Sequence, residues 1–250
     1  MTFAELDTIK KAGLDSGWGI VESESLDAVV FSSASHDQLA TVRCFDHEID
    51  VEFSIPVDES ELHINGAYSV IGRVIVVAER DYETLRAILN RSQELFVALP
   101  TNPVEIYNTR WQALVAQGIA ATETVEEVKR RVGQDVYREA LENYWKNACA
   151  VTGCTLRESL RASHAKPWAD CENAEECLSA YNGFLLTANL DALFDKGLIT
   201  FDYEGRIVIS ESISSMDLSA LGIVANMRLR WVDEKHKPFL KYHREHVWKG

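Results

Sequence analysis

The chain is short of positive charge: 25 Lys and Arg stand against 39 Asp and Glu, a formal net charge of −14. A protein that coats nucleic acid without regard to sequence needs the opposite balance, so the bulk charge argues against that class. A locally basic cleft is still compatible with it. No apolar run reaches the ~18–20 residues of a membrane span, so no membrane partner is expected. The opening MTFAELDTIKKAGLDSGWGI lacks an apolar signal core and reads as an amphipathic helix. Five cysteines, an odd number with no such leader, point to a reducing compartment and a cytoplasmic protein. Internal repeats and low-complexity segments are absent too.

What remains is an ordinary globular profile, 46% hydrophobic, in 250 residues, enough for one large domain or two small ones. The charge is uneven. Residues 1–124 carry eight basic and twenty acidic groups, and residues 169–225 carry two and ten. The segments 125–168 and 226–250 are net basic, with eight against six and seven against three. Any basic surface must therefore come from these two stretches.

Residues 3–14 have helical spacing, and four strand-like runs follow: GWGIVES, DAVVFSS, LATVRCF and DVEFSIPV. YSVIGRVIVVAER reads as a further strand whose Gly marks a bulge. Asp81 then caps a helix that ends near Pro100. PTNPVEIYN (100–108), with two prolines, reads as a linker. Val128, Val132, Val136, Ala140 and Tyr144 recur every four residues on an amphipathic helix. LITFDYEGRIVIS reads as a hairpin turning at Asp202–Gly205. The expected organisation is an α+β domain over 1–100, a linker and helical connection over 101–125, and a second domain over 126–250.

Chemistry concentrates in ESLRASHAKPWADCENAEECLSAYNGFLLTANLDALFDKG (158–197). His164 ends a short predicted strand, and an imidazole is suited to taking a proton from water near neutral pH. Asp191 and Asp195, four apart on a short helix closed by Gly197, share one face and suit a hard cation such as Mg²⁺. Asn182 would fix a loop or orient the imidazole. Taken singly, a histidine before proline is more often structural, and an Asp pair on a helix is more often a solvated face. The order, the spacings and the following hairpin shift that balance.

ACAVTGC, ASHAKPW, YNGFLLTANLDALFDKGLITF and GRIVIS together resemble the HNH endonucleases, a ββα-metal nuclease class, in a branch of bacterial restriction-type enzymes. GQDVYREALENYW and PFLKYHREHVW resemble flanks of that branch. The resemblance spans about residues 126–250. It implies a C-terminal ββα-metal domain behind the N-terminal α+β domain. It also implies His164 as general base, Asn182 as the loop-holding Asn, and Asp191 and Asp195 as metal ligands. The reaction would be Mg²⁺- or Mn²⁺-dependent hydrolysis of DNA phosphodiesters, in restriction or antiviral defence. Ser163 stands where many relatives carry a further acidic or His ligand; as a metal ligand its hydroxyl is much weaker than a carboxylate, which implies a low cation affinity or a site completed by substrate. Cys177 and Ser179 occupy a segment where an Arg and an Asp were expected.

Arg157, Arg161 and Lys166 flank the strand of His164 and are candidate phosphate contacts. Cys149, Cys154, Cys171 and Cys177 are spaced C-x₄-C and C-x₅-C, wider than most paired zinc ligands; free thiols are the default reading over structural zinc. His243 and His246 read as surface residues of a closing amphipathic helix. Trp18 is the candidate for stacking a modified base. One site per chain would call for a homodimer to cut both strands. The rival readings are an HNH-derived module that binds nucleic acid or protein without cutting, and a nuclease acting on RNA.

Overall fold

The computed structural model describes residues 1–99, 101–117 and 124–250. They divide into two compact units, Met1–Val97 and Ala98–Gly250.

In the first unit, helix α1 (Phe3–Asp15) opens on a capping box: the Thr2 hydroxyl accepts the Glu5 N–H, and the Glu5 carboxylate accepts the Thr2 N–H. Strands β1 (Ile20–Glu24), β2 (Val29–Ser33), β3 (His36–Cys44) and β4 (Glu48–Phe53) form a meander. Helix α2 (Glu59–Leu62) leads to β5 (Tyr68–Ile71) and β6 (Val74–Ala78), giving an antiparallel sheet in the order β1-β2-β3-β4-β6-β5. The expected single strand with a bulge is thus a hairpin. Ile71 pairs with Val74 across Gly72–Arg73, and Gly72 takes the positive φ that a two-residue turn requires. Helix α3 (Tyr82–Ala98) starts on Asp81, whose carboxylate accepts the Glu83 and Thr84 N–H groups. Alternate strand residues such as Val29, Phe31, Val51 and Val77 bury against Leu6 and Ile9 of α1 and Leu85, Ile88 and Leu89 of α3.

Trp18 belongs to that core. It is fully buried, its indole N–H donates to the Leu89 carbonyl at 2.9 Å, and its ring lies among His36, Phe53 and Phe96. It has no free face on which to stack a base, which corrects the expectation. His36 is equally satisfied, with Nε2 donating to Gln93 and Nδ1 accepting from the Gln38 N–H.

The second unit begins with helix α4 (Thr101–Gln117), where a linker was expected. Pro103 is no obstacle, because the first helical turn has no use for its missing N–H. Pro100 of that linker, and residues 118–123 of the expected helical connection, lie outside the described residues. Helix α5 (Val125–Tyr144) starts from a Thr124–Glu127 capping box and buries Val128, Val132, Val136, Ala140 and Tyr144, as their spacing predicts. A two-pronged Arg110–Glu139 ion pair, at 3.0 and 2.7 Å, ties α4 to α5.

Strand β7 (Leu160–His164), helix α6 (Ala174–Leu178), strand β8 (Gly183–Thr187) and helix α7 (Ala188–Asp195) follow. The hairpin β9 (Ile199–Phe201) and β10 (Ile207–Ile209) turns through Gly205, as predicted. Helix α8 (Ser215–Ala220) precedes α9 (Lys237–Tyr242), which runs into a π-helical turn, His243–Val247. His243 is not a surface residue. Its ring is buried flat against Phe194, centroids 3.8 Å apart, Nε2 donates to the Phe194 carbonyl, and Nδ1 accepts from the Thr200 hydroxyl. Burial pushes its pKa down to about 4, so it is a neutral core histidine. His246 is exposed, as expected.

Candidate active site

Antiparallel pairing of β7 with β8 sets Leu160 against Thr187 and His164 against Gly183, and α7 continues directly from β8. This is a ββα arrangement. Alternation along β7 sends neighbouring side chains different ways. Ser163, almost fully buried, donates its hydroxyl hydrogen to Asp191 on α7, whereas His164 packs on α5.

The imidazole of His164 lies flat on Tyr137, centroids 3.7 Å apart and planes 17° apart, with the Trp168 indole edge-on at 5.9 Å. Its Nε2 is 2.9 Å from the Cys177 carbonyl oxygen. A carbonyl only accepts, so the proton resides on Nε2 and the Nδ1 lone pair is left free. Burial lowers the pKa to about 4, which keeps the ring neutral at physiological pH.

Asn182 does not reach the ring. Fully buried, it accepts the Lys166 N–H at 2.8 Å and donates to the carbonyls of Lys166 and Glu176 at 3.2 and 3.1 Å. It latches the loop between β7 and β8 and fixes the carbonyl next to the one that holds His164. The expected direct orientation of the base therefore runs through the loop backbone.

Asp191 and Asp195 sit one turn apart on α7. Partial desolvation, together with the neighbouring Asp191 carboxylate, pushes Asp195 up to about 6 although the residue is exposed, and the adjacent Lys196 charge acts against the rise. Two hard oxygen groups one turn apart, with Ser163 bonded to the first, fit a divalent cation that completes its shell with water and phosphate oxygens. Among the described residues, no group of three or more His, Cys, Asp or Glu stands ready to hold a metal by itself. The four cysteines considered for zinc carry free thiols. Cys171 donates to the Lys166 and Pro167 carbonyls, and Cys177 donates to the Trp168 carbonyl.

The expected phosphate contacts are largely engaged within the protein. Arg157 grips the buried Glu142 carboxylate at 3.1 and 3.0 Å. Lys166 forms an ion pair with Glu176 at 2.8 Å. Among the described residues, Arg161 hydrogen-bonds only backbone carbonyls, those of Glu158 and Leu160, and forms no ion pair.

Several contributors escaped the sequence reading. Tyr137 stacks on His164, and its hydroxyl lies 3.0 Å from the Asn182 carbonyl and 3.3 Å from that of Ser163. A Cβ on Gly183 would lie 1.9 Å from the Ser163 carbonyl oxygen and 2.2 Å from the Tyr137 hydroxyl, so only glycine admits this bridge. Gly133 likewise leaves room for Trp168, which would meet a Cβ at 2.3 Å. The signals were present in GQDVYREALENYW and YNGF, but neither states which partner each glycine admits. His164 and Asp195 open onto a cavity of about 370 Å³ that Gln134, Trp168 and Lys196 also line.

Residues 149–202 match the family model of the HNH endonucleases. The matched span holds Ser163, His164, Asn182, Asp191 and Asp195, and ends within two residues of the close of β9. Tyr137 and Gln134, on α5, lie outside it. No curated protein matches the chain.

Proposed function

We propose that this chain, with an HNH endonuclease segment in its C-terminal half, hydrolyses phosphodiester bonds in DNA with a divalent metal, in the service of restriction or defence against phage. The observation that carries the reading is the hydrogen bond from His164 Nε2 to the Cys177 carbonyl. It leaves a neutral imidazole with one basic nitrogen, on a residue that lines the same cavity as Asp195, one helical turn from Asp191.

In this reading Nδ1 of His164 takes the proton from the attacking water as the new P–O bond forms. Tyr137 and the Cys177 carbonyl hold the ring to one tautomer and one plane. Asp191 and Asp195 would hold the cation, with Ser163 fixing the Asp191 carboxylate. The cation, when bound, supplies Lewis-acid polarisation of the phosphate and offsets charge on the departing oxygen. Asn182 acts at a distance, by keeping the loop closed over its own backbone bonds.

One observation favours a second reading, a module that binds without cutting: the hydroxyl of Ser163 is turned into Asp191, where a further anionic ligand would strengthen cation binding. Mn²⁺ titration of the full chain separates the two. The nuclease reading expects saturable binding that weakens at least tenfold in Asp191→Ala. Equal affinity in both proteins removes Asp191 from the cation site. Digests of modified and unmodified phage DNA then report the substrate, and cleavage of RNA alone would overturn the DNA assignment.

A further inference from the structure

We infer that the cavity beside His164 is the seat of a nucleic-acid phosphate, and that Lys196 is the residue that binds it. The inference deepens the nuclease reading and rests on it for the position of the reacting phosphate.

A polyanionic strand approaching this site meets Asp191 and Asp195 in a protein whose formal net charge is −14. Some cation must offset them where the backbone passes. Two of the three basic residues near β7 are committed elsewhere, Arg157 to Glu142 and Lys166 to Glu176. Lys196 is different. It is exposed, it lines the same cavity as His164, and among the described residues its ammonium forms no salt bridge or hydrogen bond, its charge acting only at longer range on the adjacent Asp195 carboxylate. It is also the only cationic side chain among the described residues that line this cavity. Between positions 169 and 225 the sequence offers one other basic residue, Arg206, which faces Asp202 and Glu204.

The backbone beneath Lys196 is fixed. Its N–H closes α7 on the Phe194 carbonyl, and Gly197 follows with φ +68°. A Cβ at 197 would lie 2.0 Å from the Val247 carbonyl oxygen, and Lys249 donates its N–H to Gly197 at 2.8 Å. The C-terminal segment thus braces the corner from which the ammonium reaches the cavity. The same lining includes Gln134 of α5, a neutral amide donor, and the Trp168 indole, an apolar surface. At about 370 Å³ the cavity has the size of a small-ligand site, room for a phosphate with its sugar. A plainer role for Lys196 is to complement the negative end of the α7 dipole. That role predicts an effect on stability and none on DNA.

The test compares Lys196→Ala and Lys196→Arg in the full chain. Binding of a labelled 20-base-pair duplex is measured across NaCl concentrations with Mg²⁺ in a His164→Ala background, and kcat/KM with His164 intact. Lys196→Ala should weaken binding about tenfold at low salt and reduce the slope of log K against log salt by about 0.9, one phosphate contact. Lys196→Arg should restore both, and thermal midpoints should stay level. Unchanged affinity and slope in Lys196→Ala, or an arginine variant as weak as the alanine one, overturns the inference even if the parent cuts DNA. A parent that binds with a Lys196-dependent slope yet cuts nothing keeps the phosphate seat and overturns the nuclease reading instead. A parent that binds no duplex at all overturns the phosphate seat.

Discussion

His164 is useful because of what its surroundings take away from it. The Cys177 carbonyl commits one nitrogen, Tyr137 covers one face, and burial removes the charge. These separate contributions can be tested one at a time. Tyr137→Phe keeps the stacked ring and loses only the hydroxyl between the Ser163 and Asn182 carbonyls. Its expected cost is about 1 kcal/mol in urea unfolding, with kcat within a few-fold of the parent. Tyr137→Leu also loses the ring face, and there kcat should fall further than stability accounts for. Equal kcat in the two variants would leave the stack without a role. The sequence made His164, Asn182, Asp191 and Asp195 legible because they lie within 32 residues and follow one family order. Tyr137 was illegible because its meaning lies in contacts with residues 163 and 182, which no local pattern encodes.

At the scale of elements, the site depends on how closely β7, β8 and α5 approach. Gly183→Ala places a methyl 1.9 Å from a backbone oxygen, which no side-chain rotation relieves. The expected loss is about 2 kcal/mol or more, with cleavage lost before global folding is; a variant as stable and active as the parent would refute the close approach. Further along α5, Glu142 is pushed up by burial but pulled down more strongly by Arg157 and Arg138, so its pKa ends below the usual value of 4.5. A depressed carboxylate stabilises above its unfolded pKa, and that contribution is lost as pH falls through the folded one. Unfolding midpoints should drop between about pH 5 and pH 3 in the parent, and Glu142→Gln should flatten that drop. Parallel curves would mean that the pair adds nothing. Element types were largely readable from periodicity and caps. The exceptions have physical causes: a glycine read as a bulge serves as a turn, and a proline read as a break sits in a first helical turn.

For the molecule as a whole, helices and antiparallel sheets give the α+β class that the sequence implied. Trp18 and His243 show where residue type misleads, since Trp18 was expected to stack a base and His243 to lie on a surface, and both proved to be core. On the proposed reading, the global charge governs the salt dependence of DNA binding. Few unpaired cations surround the site, so the affinity should decline with salt along a shallow slope, about −2 to −4 in log–log form. A slope near −10 would require on the order of ten phosphate contacts and would contradict this expectation.

The central claim is that one imidazole removes a proton from water beside a carboxylate-held cation. Its most direct test is supercoiled plasmid incubated with the full chain and Mg²⁺ or Mn²⁺, with and without EDTA, alongside His164→Ala. The account predicts nicked product with metal, none with EDTA, and a loss of about 10²–10⁴-fold in the variant, whose thermal midpoint should confirm a folded protein. Equal nicking by the parent and the folded variant would contradict it.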